Sequence, residues 1–343
     1  MKPDQVPMRH NCLRFICLFL LSALAIAQAP RIGLIDFYGR RKVPETQVRK
    51  ALGAQEGDPL PRSKSDVEEA MEKIPNVTRA RLEAVCCDSG KAILYIGIEE
   101  KGAPHFDYNS LPSGEMNLPP EVHEEYAGFL GAVNQAVRSG QTSENLRQGH
   151  SLMNHPEVRA HQEKFLELAK THLKILKDVL RNSADEEQRA MAAYIAGYVP
   201  KKEEVVNDLQ YALRDPDDTV RNNAMRALSA IAVLASQEPG LGIKVAPTWF
   251  IEMLDSLIWQ DRTAAAVALV TLTETRDARV LDHLRERALP SLLEMARWKH
   301  LPHALPSFIL AGRIAGIPEA EIQEAWKGGD REALLKRVSG EKK

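Results

Sequence analysis

Few side chains in these 343 residues have the type and spacing to do chemistry, and the histidines are the first to weigh. His150, His155, His161 and His172 stand close enough in sequence to suggest a metal centre. A zinc site on a helix needs two histidines at i and i+4, so that both rings leave the same face. No such pair is present, His161 and His172 lie about three turns apart, and no cysteine is near them. A solvated or core-edge place is expected for all four, and no metal. The carboxylate pairs Glu99-Glu100, Glu124-Glu125 and Glu186-Glu187 stand in charged, solvent-like contexts, where shifted acidities are not expected. The sequence contains no Gly-rich phosphate loop, Gly-x-Ser-x-Gly elbow, His-Glu-x-x-His helix or Cys-x-x-Cys pair. The expectation is a chain with no catalytic residue and no cofactor; an enzyme is the alternative only through a site assembled from distant residues.

The four cysteines raise a different question, because two of them, Cys12 and Cys17, fall in an N-terminal stretch built like a secretory leader. Lys2, Arg9 and Arg14 precede the apolar run from Phe15 to Ala27, and Ala25-Ile26-Ala27 offers the small side chains that a signal peptidase accepts. That run is too short to span about 30 Å of hydrocarbon as a helix, so residues 1–27 are expected to direct export and to tether the chain only if retained. Removal of the leader leaves Cys86 and Cys87. Neighbours in a strand point to opposite faces, so an internal disulfide is not expected; one core-facing and one exposed thiol is the plain reading, and an intermolecular disulfide the alternative. Asn76-Val77-Thr78 matches the glycan acceptor pattern, which matters only in a eukaryotic secretory pathway. The balance of 45 basic and 47 acidic residues gives no broad pull toward nucleic acid or anionic lipid.

The elements that position these residues are clearest at 215–231, DPDDTVRNNAMRALSAI. Asp217 is placed to cap a helix, and Val220, Ala224, Ala227, Leu228 and Ile231 then share one face. The spacing Arg, Ala at +3 and a small or apolar residue at +6 and +7 recurs as Arg189, Ala192, Ile195, Ala196 and as Arg262, Ala265, Ala268, Leu269. Successive arginines are 32 and 41 residues apart, intervals that suit stacked helical pairs. The spacing predicts one long helix from Pro156 to Arg181, signature helices near 186–199, 217–237 and 261–275, each followed by its partner, and Pro290 kinking or dividing the last partner. The Asp-Pro-Asp-x-x-Val-Arg start and the Ala-rich inner positions resemble HEAT repeats over about residues 155–316, with helices at 318–327 and 329–338 closing the stack. The resemblance implies that Arg189, Arg221 and Arg262 bond carbonyls or acids at repeat turns, a structural role set against ligand binding. It also implies that Ala192, Ala224 and Ala265 let neighbouring helices approach closely.

Residues 31–101 read as a separate small α+β unit. Ile35 and Phe37 alternate in a strand, helices follow at Pro44 and at a Ser65/Glu68 capping box, and residues 78–86 and 91–99 form a hairpin around Asp88-Ser89-Gly90. This β-α-α-β-β order, with Phe37-Tyr38-Gly39, Val43-Pro44 and Gly57, resembles a POTRA domain. That resemblance implies an edge strand that pairs with extended partner peptides, with Arg79, Arg81 and Glu83 on that edge, where they also guard it against aggregation. Residues 102–120 have no period and read as a linker, and residues 121–140 as one amphipathic helix.

The divisions expected are thus a leader (1–27), an α+β domain (31–101), a linker with one helix (102–154) and an all-α HEAT-like solenoid (155–343). The function expected is an exported, periplasmic, non-catalytic scaffold of a bacterial cell envelope that holds protein partners and neither nucleic acid nor a stable membrane span. An accessory role in outer-membrane protein handling is the alternative that the POTRA resemblance implies. If Ala224 lies between packed helices, Ala224→Asp places an unpaired charge there and costs several kcal/mol, enough to unfold an ordinary domain. A wild-type melting curve for that variant contradicts the placement.

Overall fold

Residues 30–340 are described by a computed structural model of the protein, and the leader expected over residues 1–27 lies outside them. The described chain begins with strand β1 (Ile32–Tyr38), helices α1 (Glu45–Leu52) and α2 (Lys64–Glu72), and strands β2 (Val77–Asp88) and β3 (Lys91–Glu100). The order across the sheet is β1-β3-β2, with β1 parallel and β2 antiparallel to the central β3. The cap of α2 is Ser63, which accepts from Asp66 N at 3.2 Å, rather than Ser65, so the helix starts two residues earlier than its capping-box pattern suggests.

Both faces of this sheet are covered. Ile35, Leu94, Ile96 and Ile98 pack with Ala80 and Leu82 against Val48, Leu52 and Met71 of the two short helices. Tyr38, Ile93 and Tyr95, on the opposite face, belong to the core of the helical part. A central strand covered twice has no use for polar alternation, which is why KAILYIGIE is apolar nearly throughout while edge strand β2 alternates.

The helical part comprises α3 (Pro120–Arg138), α4 (Pro156–Thr171), α5 (Leu173–Asn182), α6 (Glu186–Ala196), α7 (Val206–Ala212), α8 (Asp218–Gln237), α9 (Thr248–Met253), α10 (Trp259–Leu272), α11 (Ala278–Met295), α12 (Leu301–Ile314), α13 (Glu319–Lys327) and α14 (Arg331–Ser339). Helices α5, α7, α9 and α11 form one layer and α6, α8, α10 and α12 the other. Two expectations are corrected here. The helix foreseen from Pro156 to Arg181 breaks at His172, because its first half packs on α3 and its second half on α6, and one axis does not serve both partners. The signature helices close their pairs instead of opening them: α6, α8 and α10 pack on the shorter helices that precede them. Pro290 lies inside α11 without dividing it. Val220, Ala224, Leu228 and Ile231 are fully buried, and the three larger side chains contribute about 1.5–3 kcal/mol each.

The connector is a strap. Residues 101–119 carry no helix or strand, yet Phe106 and Leu118 are buried and the backbone bonds the array's turns in reverse order. Asn109 N donates to Arg214 O at 2.6 Å, Gly114 N to Asn182 O at 2.8 Å, and Leu118 N to Gln188 Oε1 at 2.8 Å. Helix α3 then packs on α4 and reaches α6, with Tyr126 and Phe129 against Tyr194 and Gln188 bonded to His123 at 3.0 Å, and residues 188–196 of α6 are all buried.

The adjacent thiols are also a correction. Cys86 and Cys87 are joined in a disulfide, across a cis peptide bond. The expectation rested on strand alternation, but the register of β2 against β3 is interrupted between Val85 and Asp88, and both cysteines lie in that irregularity, exposed.

One carboxylate fixes the loop after β1. Glu100 accepts from the N–H groups of Arg41 (2.7 Å), Lys42 (2.8 Å) and Val43 (2.9 Å). Burial pushes its pKa up, but the three donors outweigh burial and hold it below its ordinary 4.5. Glu100→Ala strands those three donors and is expected to cost about 3 kcal/mol by urea denaturation at pH 7. Since the folded pKa is depressed, this contribution is present above pH 4.5 and lost as pH falls through the folded value, so wild type and variant converge in acid.

Candidate interaction site between the sheet and the array

The three signature arginines stand at the start of the second helix of successive pairs, where each guanidinium turns back to the carbonyls of its own turn. Arg189 Nη1 donates to Ser183 O (2.9 Å) and Ala184 O (3.1 Å), and Arg221 Nη1 to Asp215 O (2.8 Å) and Pro216 O (3.1 Å); Arg262 Nε donates to Ser256 O. Each then reaches forward to an acid of the next pair. Arg189 makes a two-pronged bond to Asp215 (2.8 and 2.9 Å), Arg221 Nη2 lies 3.0 Å from Asp261 Oδ2, and Arg262 Nη1 lies 3.9 Å from Glu294 Oε2. All three arginines are buried, and the charge on Arg221, despite the cost of burial, is sustained by Asp261. Asp217 caps α8 by accepting from Val220 N at 2.9 Å, and Ala192, Ala224 and Ala265 are fully buried where the second-layer helices meet.

The ladder ends on the sheet. Glu294, whose pKa burial raises against the opposing pull of Arg262, accepts from Gly39 N at 2.8 Å. Tyr38 lies under Arg262, with Cζ 4.8 Å from the ring centroid, and donates to Leu257 O at 2.8 Å. Two glycines make this approach possible: a Cβ on Gly39, whose φ is 76°, would stand 2.4 Å from Ile98 O, and one on Gly97 would strike the Tyr38 ring at 2.6 Å. Beside it, Tyr95 stacks on Trp259 at 5.0 Å between centroids and bonds His303 Nδ1 through its hydroxyl at 2.7 Å. Burial, then the neighbouring His300, pushes the His303 imidazole down to about 4.

Four of the residues singled out in the sequence meet here. Arg79, Arg81, Asp217 and Arg221 line one cleft of about 270 Å³ between β2 and the start of α8, with Tyr108 of the strap stacked on Arg221 at 4.5 Å. Glu83 is not among them; it pairs with Lys64 at 2.9 Å. The edge of β2 is not open to a peptide where the sequence suggests. Ala80 N donates to Glu72 at 3.0 Å and Leu82 N to Glu68 at 2.8 Å, so two carboxylates of α2 occupy donors that an incoming strand would need.

A second polar cluster lies between α4, α6 and α8. Lys202 is buried, donates to Gly197 O at 2.7 Å and lies 3.3 Å from His150 Nδ1. Burial pushes the Lys202 amine down to about 7, and burial with the nearby lysine pushes His150 to about 4. Arg226 pairs with Glu144, and Tyr198 donates to Ser151 O at 2.8 Å, locking the hairpin of β4 (Glu144–Asn145) and β5 (Leu152–Met153) onto the helices. The histidines are dispersed: His161 pairs with Glu125 and His172 with Glu121 at 3.2 Å, both acids on α3. No group of three or more His, Cys, Asp or Glu is placed to hold a metal ion among the described residues. The sequence assigned no role to Glu294 or Lys202, whereas Asp215 opens the Asp-Pro-Asp-x-x-Val-Arg motif and the Asp-Arg pair at 261–262 was the available signal for Asp261.

Residues 173–270 match the family model of HEAT repeats, and the helical part, with its two layers of stacked pairs, is HEAT-like. No curated protein matches the chain. Among the described residues no helix is long and apolar enough to cross a membrane.

Arg221→Ala leaves Asp261 buried without its cation and is expected to cost about 3–5 kcal/mol, whereas Arg221→Met with Asp261→Leu recovers most of that loss. Denaturation of the two variants measures it. At Lys202 the unfolded chain keeps a proton between pH 7 and 10.5 that the folded chain has released, so stability rises with pH across that window. The unfolding free energy of Lys202→Met relative to wild type is therefore expected to fall between pH 7 and 10.5; a constant difference contradicts the buried, depressed amine.

Proposed function

We propose that this chain is a non-catalytic scaffold that holds protein partners, exported to a bacterial cell envelope, with its α+β unit acting as a POTRA-like recruiting module. The HEAT match over residues 173–270 carries the interaction reading, because stacked helical pairs make extended surfaces for other chains. The β-α-α-β-β order with β1 parallel to β3 supports the POTRA-like reading of residues 31–101, by fold alone. Export draws support from the leader-like residues 1–27. The non-catalytic reading draws on the arginines and acids of the ladder, which bond one another and backbone carbonyls in the interior.

A role in outer-membrane protein handling is a second reading that the same strand and helix order favours. In-cell crosslinking separates the two: a stable non-barrel partner is expected, whereas nascent barrels favour the second reading. Fractionation that finds the chain in the cytoplasm removes both envelope readings, and turnover of a hydrolase or lyase substrate by the purified chain removes the non-catalytic one.

A further inference from the structure

Each edge of the three-stranded sheet has a backbone to satisfy, and the two differ. On β2 the donors of Ala80 and Leu82 are taken by glutamates. On β1 only the first residues are occupied. Ile32 N donates to Asp58 O and Ile32 O accepts from Gly57 N, both at 2.8 Å, while Arg31 forms an antiparallel bridge to Pro59. A short length of chain thus runs antiparallel beside the start of the strand and then leaves it. From Leu34 to Tyr38 no backbone group of β1 bonds anything but β3 among the described residues.

The vacated edge opens into a cleft of about 380 Å³ framed by α1 on one side and α11 on the other. These are the layers that cover the two faces of the sheet, and both continue past its edge, so a further strand would enter a slot that already has walls. Cations line both. Arg40 and Arg49 stand on the α1 side, and Arg297 and Lys299 on the α11 side, with Phe37 and Trp298 as apolar surface between them. Their pairs with Glu45, Glu56 and Glu332 are about a third to a half exposed, a kind worth little. Arg40 Nε, though buried, has no partner at all. Three acids also line the slot, each already engaged: Asp36 accepts from Lys299 N at 2.9 Å, Glu294 from Gly39 N at 2.8 Å, and Glu45 pairs with Arg40 and Arg49.

We propose that residues 34–38 of β1 accept an extended acidic peptide segment of a partner, added antiparallel along the line begun by residues 57–60. Backbone bonds to the strand supply the alignment, and carboxylates on the two faces of the guest meet Arg40 and Arg49 above and Arg297 and Lys299 below. The proposal rests on the interaction reading given above and names the chemistry of one partner.

The test uses the purified chain and two ten-residue peptides, one alternating Glu and Val and one alternating Lys and Val, with amide hydrogen exchange as the readout. With the glutamate peptide at saturation, the fast-exchanging amides between residues 34 and 38 are expected to slow at least about tenfold, while those of residues 79–87 stay unchanged. Arg49→Gln with Arg297→Gln is expected to weaken that peptide about tenfold without moving the melting temperature. Protection at residues 79–87 instead, equal binding of the lysine peptide, or no protection at millimolar peptide overturns the proposal. If wild type and the double variant capture the same crosslinked partner equally, this edge is not the site while the scaffold reading stands; if wild type captures none, the scaffold reading itself falls.

Discussion

A buried guanidinium is costly to desolvate, so it survives in an interior only where both its charge and its fixed fork of donors are answered. In this protein that requirement sets the spacing of the helical pairs. Arg189 and Arg221 are each answered by carbonyls of their own turn and by a carboxylate of the next pair, so one side chain ties a turn to its successor, while Arg262 meets one carbonyl and lies 3.9 Å from Glu294. Removing a partner would leave a charge among apolar groups. The alanines beside these arginines then follow, since helices held at this distance leave no room for larger side chains where they cross.

The same ladder explains how an α+β unit can be part of a helical stack. Its last acid, Glu294, is answered by a backbone N–H of the sheet's first loop, and its last arginine lies over Tyr38. The sheet therefore takes the place that a further turn would occupy. Its second face needs an apolar partner, which Trp259 and Trp298 supply against Tyr95, and the strap then follows the edges of the turns back toward α5 and α6. Sheet, strap and helices share one continuous core.

Much of this was legible because it is local. A cap at Asp217, the Arg-x-x-Ala spacing and the switch from helical to alternating periods are set by neighbours within a turn or two, and HEAT-like pairs and a β-α-α-β-β unit followed from them. What was missed depends on residues far apart. Arg189 and Arg221 find their acids 26 and 40 residues away, and Tyr38 finds its carbonyl at a separation of 219. No period records such a distance, so neither the closing of pairs by the signature helices nor the covering of the sheet's second face was readable. The break at His172 belongs to the same class, since apolar periodicity runs unbroken through it and only the change of partner turns the chain. At Cys86–Cys87 the reasoning was local but assumed an uninterrupted ladder, and the bulge in β2 removed that premise.

The order in which the parts leave the ribosome gives the junction a further consequence. Tyr38 and Tyr95 emerge early, but Trp298, which covers them, comes more than two hundred residues later. At roughly 5–20 residues per second, the nascent sheet spends on the order of ten to fifty seconds with an aromatic face bare. A chaperone that shields that face during elongation, or a delay in hairpin closure until the last helices arrive, would decide how much of the newborn polypeptide escapes aggregation.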